Sequence, residues 1–212
     1  GKHEPIQVVI SGASDADILN NNLETGGLIT YFESFGFARE CLGQHLGVSQ
    51  QANLGDGNGY VNESAVIRWD YGDAAIGTCR ESVQGGNHFR YWIQDGSQMN
   101  TGAVFIAASY ENSSARAHAN IFTLYNFGRD WLIGNATSQS SLIPTLSLAN
   151  GISYSGQTSF SGYIYQTNAQ YVSGLLQNSS NGINHASDVA ANGVSAVDGL
   201  VAVLNVRILQ RP

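Results

Sequence analysis

The sequence predicts a mainly β chain: an antiparallel β-sandwich or jelly-roll-like single domain over residues 1–212, with one or two short helices near the N-terminus. Three observations lead there. Short β-branched and aromatic runs alternate apolar with polar residues, and 25 glycines against only 3 prolines punctuate them. Charged residues make up 12% of the chain, about half the roughly 25% of ordinary soluble domains. So little charge excludes coiled coils and charged disorder, and no repeat of fixed period suggests a propeller or solenoid. At 212 residues the chain is long enough to enclose one substantial core.

Taken in order, Ile6, Val8 and Ile10 alternate in a first strand, and residues 11–15 turn the chain. This opening mimics a nucleotide-binding strand and turn. Gly12, however, lacks the companions of G-x-G-x-x-G, so no tight turn against a pyrophosphate is specified. Over residues 25–36, Leu28, Tyr31, Phe32 and Phe35 share one helical face, with Thr25 as N-cap and Gly36 as stop. These aromatics, with Phe37, read as core packing rather than a ligand box.

Turn clusters at 55–59 and 85–87 lead into strands over 60–71 and 88–94. Residues 101–109 form a nearly continuous apolar strand, suited to a sheet centre covered on both faces. A strand or short helix is expected over 117–125 and a strand over 130–133. Polar and aromatic residues alternate around Tyr163, Tyr165 and Tyr171. The chain closes on a strand with Leu200, Ala202, Leu204, Val206 and Ile208 on one face and Asn205 and Arg207 on the other.

Compartment is read from cysteines and sequons. Cys41 and Cys79 are expected to form a disulfide worth ~3–4 kcal/mol in the chain-entropy model, two separate buried thiols being the alternative. Asn-X-Ser/Thr tripeptides at Asn62, Asn112, Asn135 and Asn178 fit a solvent-facing, secreted glycoprotein. A start at Gly1, with neither Met nor an apolar leader, reads as a trimmed, mature product. No apolar run of about 18 residues predicts a membrane span, and a formal charge of −7 disfavours nucleic acid as partner.

The stretch from Gly86 to Gln94 carries the most chemistry. As a strand it places His88, Arg90, Trp92 and Gln94 on one face and Phe89, Tyr91 and Ile93 on the other. An imidazole, a guanidinium and an indole in line suit a sugar ring or a carboxylate; the plainer alternative is a solvated face with Arg stacked on Trp. The five histidines show no metal-ligand spacing, so metal content stays open and no cofactor is expected. Strand ends converge, which brings His88, His118 and His185 toward one cleft unless each is separately hydrogen-bonded; His3 reads as a flexible terminus.

Among Asp70, Asp73, Glu81, Asp95, Glu111, Asp130, Asp188 and Asp198, Glu111 is the preferred general acid, because the apolar strand before it offers surroundings that raise a carboxyl pKa. Arg129-Asp130-Trp131 reads as an ion pair over an indole or as part of a polar cleft. The nucleophile pattern G-x-S-x-G is missing, which argues against a serine hydrolase of that fold.

The runs Glu4-Pro5-Ile6-Gln7-Val8-Val9-Ile10-Ser11-Gly12, Ala52-Asn53-Leu54-Gly55-Asp56-Gly57 and Gly85-Gly86-Asn87-His88-Phe89-Arg90, with Thr101-Gly102-Ala103-Val104-Phe105 and Gly128-Arg129-Asp130, resemble a group of secreted fungal proteins of uncharacterised function. The resemblance covers most of the chain and implies a secreted fungal origin. It assigns no functional residue. Two readings follow from the residues themselves. One is an enzyme acting on cell-wall polysaccharide with His88, Arg90, Glu111 and His185 as its catalytic candidates. The other is a non-catalytic, lectin-like protein that binds polysaccharide, a small molecule or a surface through exposed aromatics around residues 138–171. Recessed His88 and carboxylate in one pocket would favour the first, an open aromatic platform the second. Oligomeric state is left open by the sequence.

Overall fold

The computed structural model describes residues 3–45, 47–112, 124–140, 143, 147–186, 190 and 193–212. In chain order the strands are β1 (Val8–Ile10), β2 (Phe37–Arg39), β3 (Gln51–Asn53), β4 (Tyr60–Asn62), β5 (Ala65–Trp69), β6 (Gly85–Ile93), β7 (Val104–Asn112), β8 (Ser153–Phe160), β9 (Tyr163–Val172) and β10 (Val201–Gln210). The helices are α1 (Leu28–Glu33), α2 (Gly77–Gln84) and α3 (Leu124–Ala136).

Eight strands form one curled, half-barrel sheet in the order β2-β5-β6-β7-β1-β10-β9-β8, and β3 with β4 forms a separate hairpin. The apolar β7 lies between β6 and β1, near the sheet centre, as its composition requires. The two ends of the chain meet beside it: β1 runs antiparallel to β7 and parallel to β10. The fold is mainly β, but its arrangement differs from two packed antiparallel sheets. A parallel pair makes the large sheet mixed, and helices supply the second layer.

That layer covers the apolar face. Phe89, Tyr91, Ile106, Ala202 and Leu204 are all at most 1% exposed. From α1, the Phe32 ring meets Phe89 at 4.8 Å and Tyr91 at 5.8 Å, edge to face. The helix starts later than expected, with Gly27 at its N-cap, because residues 23–25 wind into a separate 3₁₀ turn capped by the Asn22 side chain. It ends at Glu33, earlier than expected, and the turn that follows closes at Gly36, whose φ of +87° favours glycine.

Residues 130–133, expected as a strand, lie instead inside α3. Tyr125, Gly128, Leu132, Ile133 and Ala136 recur at spacings of three and four and are all buried, so a helical stripe overrides the local strand propensity. Most of the expected 117–125 element lies outside the described residues, and its last two residues open α3. The run 60–71 divides into β4 and β5 at Glu63 and Ser64, and α2 forms without apolar periodicity to announce it.

The buried Arg129 ties α3 to the segment before β10. It donates to both Asp198 carboxylate oxygens at 2.7 and 2.8 Å, to Leu200 O at 2.8 Å and to Asp130 at 2.7 Å. Its guanidinium lies 5.2 Å from the ring centre of Tyr171. The ring under this ion pair is thus a tyrosine distant in sequence, not the neighbouring Trp131.

The disulfide between Cys41 and Cys79 is formed. It staples the turn after β2 to α2 across 38 positions of sequence. Among the described residues, no helix is long and apolar enough to cross a membrane.

Candidate functional site

The second face of β5, β6 and β7 carries the charges. Register sets Arg68 beside His88 and His88 beside Ser109, while Val66, Arg90 and Ala107 form the next row. Further along, Trp92 lies opposite Phe105. Alternation along β6 is as expected, yet this face is not solvated: His88, Arg90, Trp92 and Gln94 are 4%, 7%, 2% and 5% exposed. The N-terminal segment, the β3–β4 hairpin and α2 cover it, with Ile6, Leu54 and Val61 packed around Trp92.

These covering pieces each bring a carboxylate. Arg68 binds Glu81 of α2 at 2.8 Å and Glu40, after β2, at 3.2 Å. Arg90 binds Glu63, beyond β4, at 2.6 Å and Glu4 at 3.2 Å. His45 lies 2.9 Å from Glu40 and 3.9 Å from Glu63, which joins the two clusters. The result is one chain of contacts in which carboxylates alternate with basic side chains, from Glu111 through His88, Glu81, Arg68, Glu40, His45, Glu63 and Arg90 to Glu4.

At one end, His88 Nε2 is 3.1 Å from Ser109 Oγ and 3.8 Å from Glu111, and Nδ1 is 3.6 Å from Glu81. Hydroxyl, imidazole and carboxylate thus stand in the order of a proton relay. The charges oppose that use. Burial pulls the His88 pKa down, but Glu81, Glu111 and Glu4 outweigh it and raise it above the ordinary 6.5. The favoured imidazolium has no lone pair with which to take the Ser109 proton. Burial would likewise raise Glu81, but His88 and Arg68 hold it below the usual carboxylate value.

The structure brings His88 and Glu111 together and places Arg90 one row away. Glu111 itself is 63% exposed, so the apolar surroundings that recommended it as a general acid are not around it. His185 is exposed in a turn whose neighbours, Gly182 and Asn184, bond the backbone of His3 at 3.0 and 2.9 Å. His118 and Asp188 lie outside the described residues. Among the described residues, no group of three or more His, Cys, Asp or Glu side chains is arranged to hold a metal ion.

Of the sequon asparagines, Asn62 and Asn178 are exposed. Asn135 is half-buried in α3 and donates to Trp131 O at 2.9 Å. The side chain of Asn112 is outside the described set.

A groove of about 540 Å³ opens further along the same sheet face. Val9, Trp92, Phe105 and Val201 lie along it, the hairpin contributes Gln51, Asn53 and Tyr60, and Leu175, Leu176 and Ile183 come from the segment after β9. Tyr60 is 64% exposed and its ring stacks with His3 at 6.2 Å. His3 is thus fixed at both backbone and ring. The tyrosines of residues 138–171 offer no comparable platform: Tyr154 is half-buried with its ring 6.2 Å from that of Tyr171, and the three tyrosines of β9, Tyr163, Tyr165 and Tyr171, are 7%, 0% and 0% exposed. They face inward because alternation along β9 gives the core to odd-numbered positions.

Sequence reasoning found Trp92 but not its partners in the groove, since His3, Tyr60 and Leu175 share no local pattern. Compared with protein-family models, with curated proteins and with solved structures, the chain matches none.

Proposed function

We propose that the chain is a secreted fungal glycoprotein that binds saccharide without cleaving it, and that the groove beside Trp92 is its binding site. The observation that carries this reading is the composition of the groove. An apolar base over the buried Trp92, side-chain amides on the hairpin wall and an exposed tyrosine at the rim match a sugar's needs: the Tyr60 ring for its apolar face and amides for its hydroxyls. The acid–base residues favour the same choice, because His88 is buried against its own carboxylates and does not line the groove.

Calorimetric titration with a panel of soluble fungal and plant cell-wall oligosaccharides tests the proposal. At least one member should bind the wild-type protein, and Tyr60→Ala should weaken it by about tenfold, the equivalent of losing one sugar-stacking contact. A panel without a binder, or a Tyr60→Ala variant that binds like wild type, would overturn it.

The competing enzymatic reading retains one specific observation, the 3.1 Å contact between His88 and Ser109. It assigns catalysis to His88, Arg90, Glu111 and His185. Release of reducing sugar from the same panel, lost in a folded His88→Gln variant, would establish it in place of the binding role.

A further inference from the structure

The charges on the groove restrict which saccharide it takes. Among the described residues that line it there is neither Lys nor Arg, and Glu4 supplies the carboxylate. The Glu4 side chain is only 10% exposed and lies 3.2 Å from Arg90 Nε. Its Oε2 nevertheless has no hydrogen-bond partner, and neither has that Arg90 nitrogen. Arg90 is already committed to Glu63 at 2.6 Å. Glu4 and Glu63 share the one guanidinium of Arg90, which leaves Glu4 only partly compensated, and among the described lining residues Glu4 is the one carboxylate of a groove otherwise made of polar and apolar side chains.

A carboxylate held in this way attracts an ammonium group, accepts from a neutral hydroxyl and repels another carboxylate. The exposed Tyr60 ring adds a second attraction for a cation passing over its face. A formal charge of −7 on the whole chain acts in the same direction at longer range.

We infer that the groove selects saccharides bearing free amino groups over neutral ones and rejects uronates, with Glu4 as the counter-ion of the sugar ammonium. This inference rests on the saccharide-binding role proposed above. It adds the ligand's charge and the residue that reads it.

The test compares oligomers of glucosamine, N-acetylglucosamine and glucuronate of equal length, titrated into wild type, Glu4→Gln and Tyr60→Ala. Wild type should bind the glucosamine oligomer about tenfold more tightly than its acetylated counterpart, with the glucuronate oligomer weakest. Added salt should shrink the first gap, a measurement that needs no variant. Glu4→Gln should bring the glucosamine and N-acetylglucosamine affinities within about twofold by weakening the former alone.

Equal affinity of the three oligomers for wild type, or an amine preference that survives Glu4→Gln, would remove Glu4 from the role while leaving the saccharide reading intact. Failure of all three to bind would remove this inference alone, whereas a whole cell-wall panel without a binder, or binding indifferent to Tyr60→Ala, would remove the saccharide reading and this inference with it.

Discussion

Arg68 and Glu81 meet at 2.8 Å with side chains only 8% and 0% exposed, one on β5 and the other on α2. The second Glu81 oxygen faces His88, 3.6 Å away, so one carboxylate serves two basic side chains, on β5 and β6. Burial makes such a carboxylate costly to replace singly, because removal of one partner leaves the other charged and dry. Arg68→Met and Glu81→Gln should each lower unfolding free energy by about 3–5 kcal/mol, and the double variant by less than the sum. Urea titration measures all three, and single losses below about 1 kcal/mol would show the pair to be solvated in solution.

The same two groups give stability a defined dependence on pH. Glu81 titrates below its ordinary value of 4.5 in the folded state, so its contribution is present above that value and disappears as pH falls through the folded pKa. His88 titrates above its ordinary 6.5, so its contribution is complete below that value and disappears as pH rises through the folded pKa. Together they favour the interval between 4.5 and 6.5. Thermal unfolding followed across pH should place the highest Tm there, and His88→Gln should flatten the alkaline decline. A Tm that keeps rising above neutrality in wild type would contradict the assignment.

The disulfide acts on this cluster from outside. Cys41 adjoins Glu40 and Cys79 lies two residues before Glu81, so the link fixes the two carboxylates that share Arg68. With its ends 38 positions apart, the link is worth ~3–4 kcal/mol by loop-closure entropy. The Cys41→Ala/Cys79→Ala variant should lose about that much, and its loss should combine with that of Glu81→Gln non-additively, by about 0.5–3 kcal/mol. Strict additivity in denaturant titrations would mean that the link merely shortens the unfolded chain.

How far the sequence discloses this arrangement depends on the range of the contacts involved. Period-two alternation is local, and it placed Phe89 and Tyr91 in the core with His88, Arg90 and Trp92 opposite. The helical face of Leu28, Tyr31 and Phe32 and the apolar run of β7 are local in the same sense. What alternation cannot convey is what covers a strand. Glu63 reaches Arg90 from 27 positions away and Glu40 reaches Arg68 from 28, so a face read as either a ligand surface or a solvated one is a buried charge network. Pairing of β1 with β10 joins opposite ends of the chain, and no hairpin signal announces a parallel pair. The groove combines His3, Tyr60, Trp92 and Leu175 from four separate segments for the same reason.

Gly128 is a point where α3 packs closely on β7, and two opposing effects decide its replacement. In a helix interior, alanine is favoured over glycine by about 1 kcal/mol, so propensity alone predicts a stabilising Gly128→Ala change. A Cβ at this position would stand 2.7 Å from the Ser109 carbonyl carbon and 2.8 Å from its Cα, against backbone that no side-chain rotation can move. The helix would have to lift from β7, loosening Leu132 and Ile133 and straining the bond that Asn87 donates to Gly128 O at 2.9 Å. Overpacking of this kind costs about 1–3 kcal/mol, which exceeds the propensity gain. Gly128→Ala should therefore destabilise the protein in urea titration, and it should also disturb the environment of His88, whose partner Ser109 takes the displacement. A downfield imidazole resonance followed by NMR would report that shift, whereas a variant as stable as wild type with an unchanged His88 signal would show that the α3–β7 contact is looser than 2.7 Å implies.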